Sequence, residues 1–414
     1  MTILIDVGSN TIKAQAITSR NKIKNQHCSD KNLPLKERVR RLISNFKNDL
    51  LTKDILICSS FNGGLKIGLL CLSKKVSGIT AQNYLESIGA NIYYLTEWHE
   101  SSKVKLQEKV DFLIVVGGID KFPDLNARIA LEKLKLSCFP YEQLIFSGHY
   151  MLSNEFLHRW PESIVLKNIL DDDVTSNDST LPEFIQDAYL KDISKEKEVK
   201  ILQEFSLVDI QSTPLILSMA FRELQKVLPS PSIIFDVGGS TTDIHFQEEL
   251  LCDINTSKLG SNYPLFARHV FTSYGICSSS SSTISRLISD LNCIQLLSGL
   301  YGKKYHRIYH ELLDGRASEY LLSIACIFLV IRDISLENDK QLPLLKFEKA
   351  ALICLTGGAV KFINKNDIMV AASSALGYKI TSEVIIDSEY QWWALGLQSS
   401  IKEINNNTLL KFIA

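Results

Sequence analysis

The sequence shows no excess of charge of either sign: 45 Lys and Arg stand against 46 Asp and Glu, for a formal net charge of -1. Without a global basic field, neither nucleic acid nor an anionic membrane is expected as a partner. Paired cysteines are also missing. Nine cysteines are scattered along the chain with no C-x-x-C spacing, which argues against a zinc ribbon and a disulfide framework and suits a reducing cytosol. No apolar run reaches the roughly 20 residues that span a bilayer. The longest, Leu321–Ile331, reads as a buried helix. The N-terminus has no basic segment followed by a long apolar one, so no signal peptide is expected and the chain is placed in the cytoplasm. There is no Walker A loop either, because Leu297 stands where its first glycine should be and Lys304 follows Gly302-Lys303. No serine lies in a G-x-S-x-G elbow.

What remains is an ordinary globular composition, 45 % hydrophobic and 22 % charged over 414 residues, enough for two domains or more. Within it, Ile233–Phe246 stands out: an apolar run ends at Phe235-Asp236, a Gly238-Gly239 pair follows, and Thr241–Phe246 resumes a β-rich pattern. Strand, glycine turn and strand make a hairpin with a carboxylate at each end, Asp236 and Asp243. Glycines let the backbone approach a ligand closely, so successive amides from Gly238, Gly239, Ser240, Thr241 and Thr242 can converge on a phosphate. Carboxylates beside a phosphate need a cation between them, and Mg²⁺ meets carboxylates partly through its own waters. A Mg²⁺-nucleotide is the expected occupant, with Asp236 and Asp243 on the metal side.

The first residues repeat the pattern. Ile5-Asp6-Val7-Gly8-Ser9-Asn10-Thr11 aligns without a gap on Phe235-Asp236-Val237-Gly238-Gly239-Ser240-Thr241, and each copy follows an apolar strand. A duplicated lobe explains two such copies. Asp6 is therefore the second candidate for metal and catalysis, and Gly8, Ser9, Asn10 and Thr11 are the second phosphate turn. Lys13 closes this hairpin, where its cation could touch a phosphate or simply face solvent.

Leu35–Leu51 has helical spacing with a basic face. Strands and helices alternate over Ile55–Val165, which suggests a parallel α/β layer. Phe184–Gln203 and Pro214–Leu228 read as helices, and Pro229-Ser230-Pro231 marks a lobe boundary. The expected domains are 1–228, with the first hairpin and the inserted layer, and 229–414, with the second hairpin. The last helix, Tyr390–Ile404, could pack back on the first lobe. The Ser278–Ser282 run reads as a mobile loop. Ala351–Leu355 is a strand delivering Thr356-Gly357-Gly358, and this Gly357-Gly358 pair is the expected adenosine contact.

Other constellations read as structural. His306 and His310 have metal-helix spacing, but Arg307 replaces the glutamate that should follow, so both belong on a helix surface. Cys58 follows a strand with no histidine near it in sequence, so it reads as a buried thiol rather than a nucleophile. The triplet Asp171-Asp172-Asp173 reads as a solvated turn.

Two D-x-G hairpins followed by a late Gly-Gly strand resemble the nucleotide site of the actin, Hsp70 and sugar-kinase superfamily. Four segments occur here in the same order as in the glutamate mutase MutL family: Cys58-Ser59-Ser60-Phe61-Asn62-Gly63-Gly64-Leu65-Lys66, Ile114–Asp120, Ile210-Gln211-Ser212-Thr213-Pro214 and Asp236–Asp243. The end of the chain, Asp387–Leu397, is also similar to that family, which shares only its name with a mismatch-repair ATPase of unrelated fold. The resemblance implies a two-lobed α/β fold of the actin/Hsp70-like ATPase type, with duplicated strand–turn–strand phosphate hairpins. It further implies ATP and Mg²⁺ as cofactors. The implied activity is that of an ATP-dependent chaperone or reactivating factor for an adenosylcobalamin-dependent mutase, with cofactor exchange as its task. On this likeness Asp6, Gly8, Ser9 and Thr11 fall on the first phosphate hairpin, and Asp236, Gly238, Gly239, Thr241, Thr242 and Asp243 on the second. Asp6 and Asp236 carry the catalytic expectation. Two departures bear on hydrolysis and on the client: Lys258 stands where the family has an acid, and Lys121-Phe122 replace a further glycine pair. A small-molecule kinase and a non-hydrolysing nucleotide-gated scaffold are the alternatives. The sequence leaves the oligomeric state open.

Overall fold

The computed structural model describes residues 2–8, 12–17, 23–28, 33–46, 54–59, 65–87, 90–105, 107–120, 125–170, 180, 181, 184, 185, 187, 188, 202–208, 210–250, 267–335, 345–401, 404 and 409. These form two compact units, the first ending at Ile216 and the second beginning at Leu217.

Among its described residues the first unit holds ten strands: β1 (Thr2–Val7), β2 (Ile12–Ile17), β3 (Ile23–Cys28), β4 (Asp54–Ser59), β5 (Lys66–Cys71), β6 (Asn91–Glu97), β7 (Val110–Gly117), β8 (Tyr141–Gly148), β9 (Ile164–Val165) and β10 (Gln211–Ser212). Ile3, Leu4 and Ile5 are all buried, as a strand covered on both faces requires. The first sheet runs β10-β4-β1-β2-β3: β1, β2 and β3 are antiparallel neighbours, and β4 and β10 add in parallel. The second sheet runs β6-β5-β7-β8-β9 and is parallel throughout. That sheet is the α/β layer expected from the alternating pattern. Its strands are apolar on both faces because both are covered. Ile67, Leu69, Ile114, Val116 and Ile145 enter one core with β1 and the helix Leu35–Asn45. Leu70, Leu113, Val115 and Phe146 enter another with the helices Leu125–Lys133 and Ser153–Arg159.

The second unit adds β11 (Ser232–Val237), β12 (Thr242–Phe246), β13 (Ala267–Phe271), β14 (Leu352–Gly357) and β15 (Glu383–Ile386) in the order β13-β12-β11-β14-β15. The pairing senses repeat those of the first sheet: an antiparallel trio, then two parallel additions. β11 therefore corresponds to β1, β12 to β2 and β14 to β4. Such a duplicated sheet, one copy per unit, makes the mixed α/β fold with repeated strand–turn–strand hairpins that the sequence leads one to expect. Behind it lies the helix Glu319–Ser335, buried from Leu321 to Ile331, which is the apolar run of the sequence acting as a core helix. Among the described residues no helix is long and apolar enough to cross a membrane.

The helix Lys365–Leu376 shows how local chemistry sets element ends. Asn364 accepts from the amides of Asn366 and Asp367, Asp367 reaches back to the Asn364 amide, and Gly377 closes the other end in the left-handed region.

One expectation needs correcting. The serine run Ser278–Ser282 is not a mobile loop: Ser280–Ser289 is helical, held down by buried Thr283, Ile284 and Leu287. Serines suit a helix start, and the apolar face arrives only after them. The predicted helix over Phe184–Gln203 lies mostly outside the described residues, as does the Asp171–Asp173 triplet.

Candidate functional site

The two hairpins place a carboxylate at the same register position. Asp6 faces Lys13 across β1–β2 and Cys58 across β1–β4; Asp236 faces Asp243 across β11–β12 and Thr356 across β11–β14. Each carboxylate thus sits at the carboxyl end of the central strand of its sheet, one residue before the turn approaches.

In the first hairpin the carboxylate is buried and fully engaged. Asp6 is 2 % exposed. Thr213 Oγ1, at the start of the helix Thr213–Leu224, donates to Asp6 Oδ1 at 2.8 Å, and Cys58 Sγ donates to the same oxygen at 3.6 Å. Lys13 Nζ lies 3.7 Å from Asp6 Oδ2. Burial first, and the Asp6 carboxylate next, push the Cys58 thiol well above its usual range, so it stays protonated and donates. A buried, protonated thiol is the unreactive form, in keeping with a structural Cys58. Gly8 ends the described part of this hairpin; Ser9, Asn10 and Thr11 lie outside the described residues.

The second hairpin is described throughout. Asp243 would face Asp236 as one like charge beside another, but Arg268, from β13, donates to Asp243 Oδ2 at 3.0 Å with both side chains nearly buried. Buried charges hold only when paired in this way. The turn itself is tied back by its carbonyls. The amide of Ile276 donates to Gly238 O at 3.2 Å, and the amides of Cys277 and Ser278 donate to Gly239 O at 2.8 and 3.1 Å. Ser279 Oγ donates to Ser240 O at 2.6 Å. Gly275 makes this fit possible, since a Cβ there would lie 2.6 Å from the Ser240 carbonyl carbon. The Gly238 amide closes the turn on Thr241 O at 2.9 Å. Among the described residues nothing accepts from the amides of Gly239, Ser240 and Thr241. Carbonyls turned away and successive amides left over are the arrangement that receives an anion. Thr242 starts β12, and its hydroxyl donates to Tyr274 O at 3.0 Å.

Gly357 ends β14 beside the same carboxylate, and Gly358 follows it. Gly357 has φ +91°, and a Cβ there would lie 2.3 Å from Asp236 Oδ1. Only glycine allows that approach. Gly358 has more room, its nearest neighbour at 3.7 Å being Ile276 Cδ1.

Among the described residues no group of three or more His, Cys, Asp or Glu side chains could hold a metal by itself. With Asp6 and Asp243 each engaged by a cation, the donor set fits a hydrated ion brought in on its own oxygen ligands, not one caged by protein. His306 and His310 are exposed on the helix Tyr305–Leu313, as expected for surface residues.

Three contributors escaped the sequence reading: Thr213, Arg268 and the Ile276–Ser279 segment. Thr213-Pro214 carried a signal, a hydroxyl ahead of a helix-starting proline, but nothing in the sequence joins it to Asp6. Lys258 and most of the Ser60–Leu65 run lie outside the described residues.

A family model described as "MutL protein" matches residues 2–296 of the chain. No curated protein matches it in sequence. Solved structures of similar shape include the activator of the 2-hydroxyisocaproyl-CoA dehydratase from Clostridium difficile with bound ADPNP, at 11 % identity, 98 % of each chain covered and TM-score 0.30. Component A of the (R)-2-hydroxyglutaryl-CoA dehydratase of Acidaminococcus fermentans follows at 10 % identity, covering 97 % of this chain and 99 % of that one, with TM-score 0.34. Ligand-bound xylulose kinase from Lactobacillus acidophilus reaches TM-score 0.39 at 11 % identity, covering 100 % of this chain and 92 % of the other. With TM-scores this low, none of these likenesses bears on activity.

Proposed function

The chain belongs to the MutL protein family, and from that premise we propose that it is an ATP-binding, ATP-hydrolysing chaperone that reactivates an adenosylcobalamin-dependent mutase of the glutamate mutase kind. The observation that carries the ATP-binding part is the second hairpin: amides of Gly239, Ser240 and Thr241 with no acceptor among the described residues, beside the Asp236 carboxylate. The repeated sheet, with Asp6 where the second has Asp236, supports giving the first hairpin the same kind of role.

In this reading the amides of Gly239, Ser240 and Thr241 hold phosphate oxygens in a turn shaped by Gly238 and Thr242, and Gly8, Ser9, Asn10 and Thr11 do the same from the first hairpin. Gly357 and Gly358 give adenosine a bare stretch of backbone. Asp6 on the first hairpin, and Asp236 and Asp243 on the second, are the residues that would hold hydrated Mg²⁺, which would supply charge neutralisation to the triphosphate when bound. Arg268 pairs with Asp243 and fixes it in place, and Thr213 with Lys13 does so for Asp6. Asp6 and Asp236 also orient a water for slow hydrolysis, and the amides stabilise the charge that develops on the phosphate. Loss of the terminal phosphate removes contacts from the Gly238–Thr241 turn, and that change is what a partner enzyme senses.

The test mixes the purified chain and terminally labelled Mg²⁺-ATP with a glutamate mutase carrying damaged cobalamin. The proposal expects free labelled phosphate and recovery of mutase activity when fresh adenosylcobalamin is added. Label on a small metabolite would instead make the protein a kinase. ATP bound without phosphate release would make it a nucleotide-gated scaffold.

A further inference from the structure

The three amides that the Gly238–Thr241 turn leaves without an acceptor among the described residues each follow a carbonyl that is taken. A trans peptide is planar, and its C=O and N–H point opposite ways. Whatever holds one carbonyl therefore sets the direction of the next residue's amide. The Ile276 amide holds Gly238 O and so aims the Gly239 N–H; the Cys277 and Ser278 amides hold Gly239 O and aim the Ser240 N–H. The last carbonyl is held by a side chain. Ser279 Oγ donates to Ser240 O at 2.6 Å, which aims the Thr241 N–H. Backbone donors outlast any substitution except proline, so among these contacts the identity of the residue matters at Ser279.

Ser279 gives this bond in place of another. It is the N-cap of the helix Ser280–Ser289, where a serine hydroxyl ordinarily accepts from first-turn amides, yet its side chain makes no capping bond. Thr272 O lies 3.2 Å from the same hydroxyl, and the shorter 2.6 Å distance puts the proton chiefly on Ser240 O. The segment that carries Ser279 is fastened on both sides, so its reach is set before a ligand arrives. On one side the Tyr274 hydroxyl donates to Asp333, which Arg286 also holds, at 3.1 Å. On the other, the buried Thr283 Oγ1 accepts from the Gly275 amide at 3.1 Å. Gly275 brings the segment so close that a Cβ there would lie 2.8 Å from Ser240 O.

We propose that Ser279 is a positioning residue for phosphate binding, acting through the Ser240–Thr241 peptide to keep the Thr241 amide turned toward the anion. The proposal rests on the nucleotide reading of the second hairpin, and the test tells the two apart. Mg²⁺-ATP is titrated calorimetrically into the full wild-type chain and three variants, each shown to be folded by circular dichroism. Ser279→Ala should weaken ATP binding about fivefold, the worth of one hydrogen bond. A purely structural contact would lower only the melting temperature. Ser279→Thr keeps the donor and should restore wild-type affinity. Ser281→Ala, at an exposed serine with no bond to the turn among the described residues, should bind ATP as the wild type does. If wild type and Ser279→Ala bind ATP equally, or if Ser279→Thr does not repair the loss, the role of Ser279 is refuted while the nucleotide site stands. A wild-type chain that takes up no ATP overturns the site and the role of Ser279 together.

Discussion

Gly357→Ala isolates the contact on which the second hairpin is built. The new methyl would meet three obstacles: Asp236 Oδ1 at 2.3 Å, Val237 O at 2.6 Å and Val237 N at 2.7 Å. The backbone at φ 91° and ψ -172° lies in a region essentially confined to glycine and adds about 1–3 kcal/mol. Forcing a methyl into a filled site costs about 1–3 kcal/mol more. The sum, about 2–6 kcal/mol, should lower the melting temperature by about 2–4 °C for each kcal/mol in a unit of this size. Two other glycines provide controls. Gly302 has φ 54° and ψ -133° with nothing within 4 Å, so Gly302→Ala should incur only the backbone penalty of about 1–3 kcal/mol. Gly358→Ala meets its nearest atom at 3.7 Å and should be close to neutral for stability. Thermal melts followed by circular dichroism rank the three variants. If Gly357→Ala melts no lower than Gly302→Ala, strand β14 does not press on Asp236 and the close-packed site is wrong.

Two further outcomes concern the second unit. Arg268→Met strands the Asp243 carboxylate opposite Asp236 and should cost about 3–5 kcal/mol, while the double change Arg268→Met with Asp243→Leu should recover much of it; a double variant as unstable as the single would refute the pairing. Burial, with Arg268 nearby, holds the His245 imidazole well below its usual range, so the native state keeps it neutral. Below about pH 6.5 the unfolded chain takes up a proton that the native state refuses, and stability falls by up to about 1.4 kcal/mol per pH unit. His245→Phe should therefore show a shallower loss between about pH 6.5 and 5 in urea titrations than the wild type does, and equal slopes would contradict a neutral buried His245.

How much of the fold and site is legible in the sequence depends on range. The hairpins are readable because each is local: apolar strand, Asp-x-Gly turn, β-rich return within a dozen or so residues. The inserted sheet is readable from alternating strands and helices, but its order is not, because parallel pairing is set by crossovers that leave no mark in the strands themselves. The electrostatic partners are the hardest. Thr213 is 207 positions from Asp6, and Arg268 reaches Asp243 only once β13 has paired with β12. Nothing in a β-strand arginine distinguishes a buried ion pair from a solvated edge. The serine run misleads because serine favours both loops and helix starts, and the apolar residues that decide between them come after Thr283.

Everything proposed for the two hairpins rests on their binding ATP. Calorimetric titration of the full chain with Mg²⁺-ATP, repeated on Asp236→Asn after its fold is confirmed by circular dichroism, is the decisive experiment. One ATP per wild-type chain is expected, with binding weakened at least tenfold in the variant. A wild-type chain that takes up no ATP, or a variant that binds it equally well, would show that the carboxylate hairpins do not form a nucleotide site.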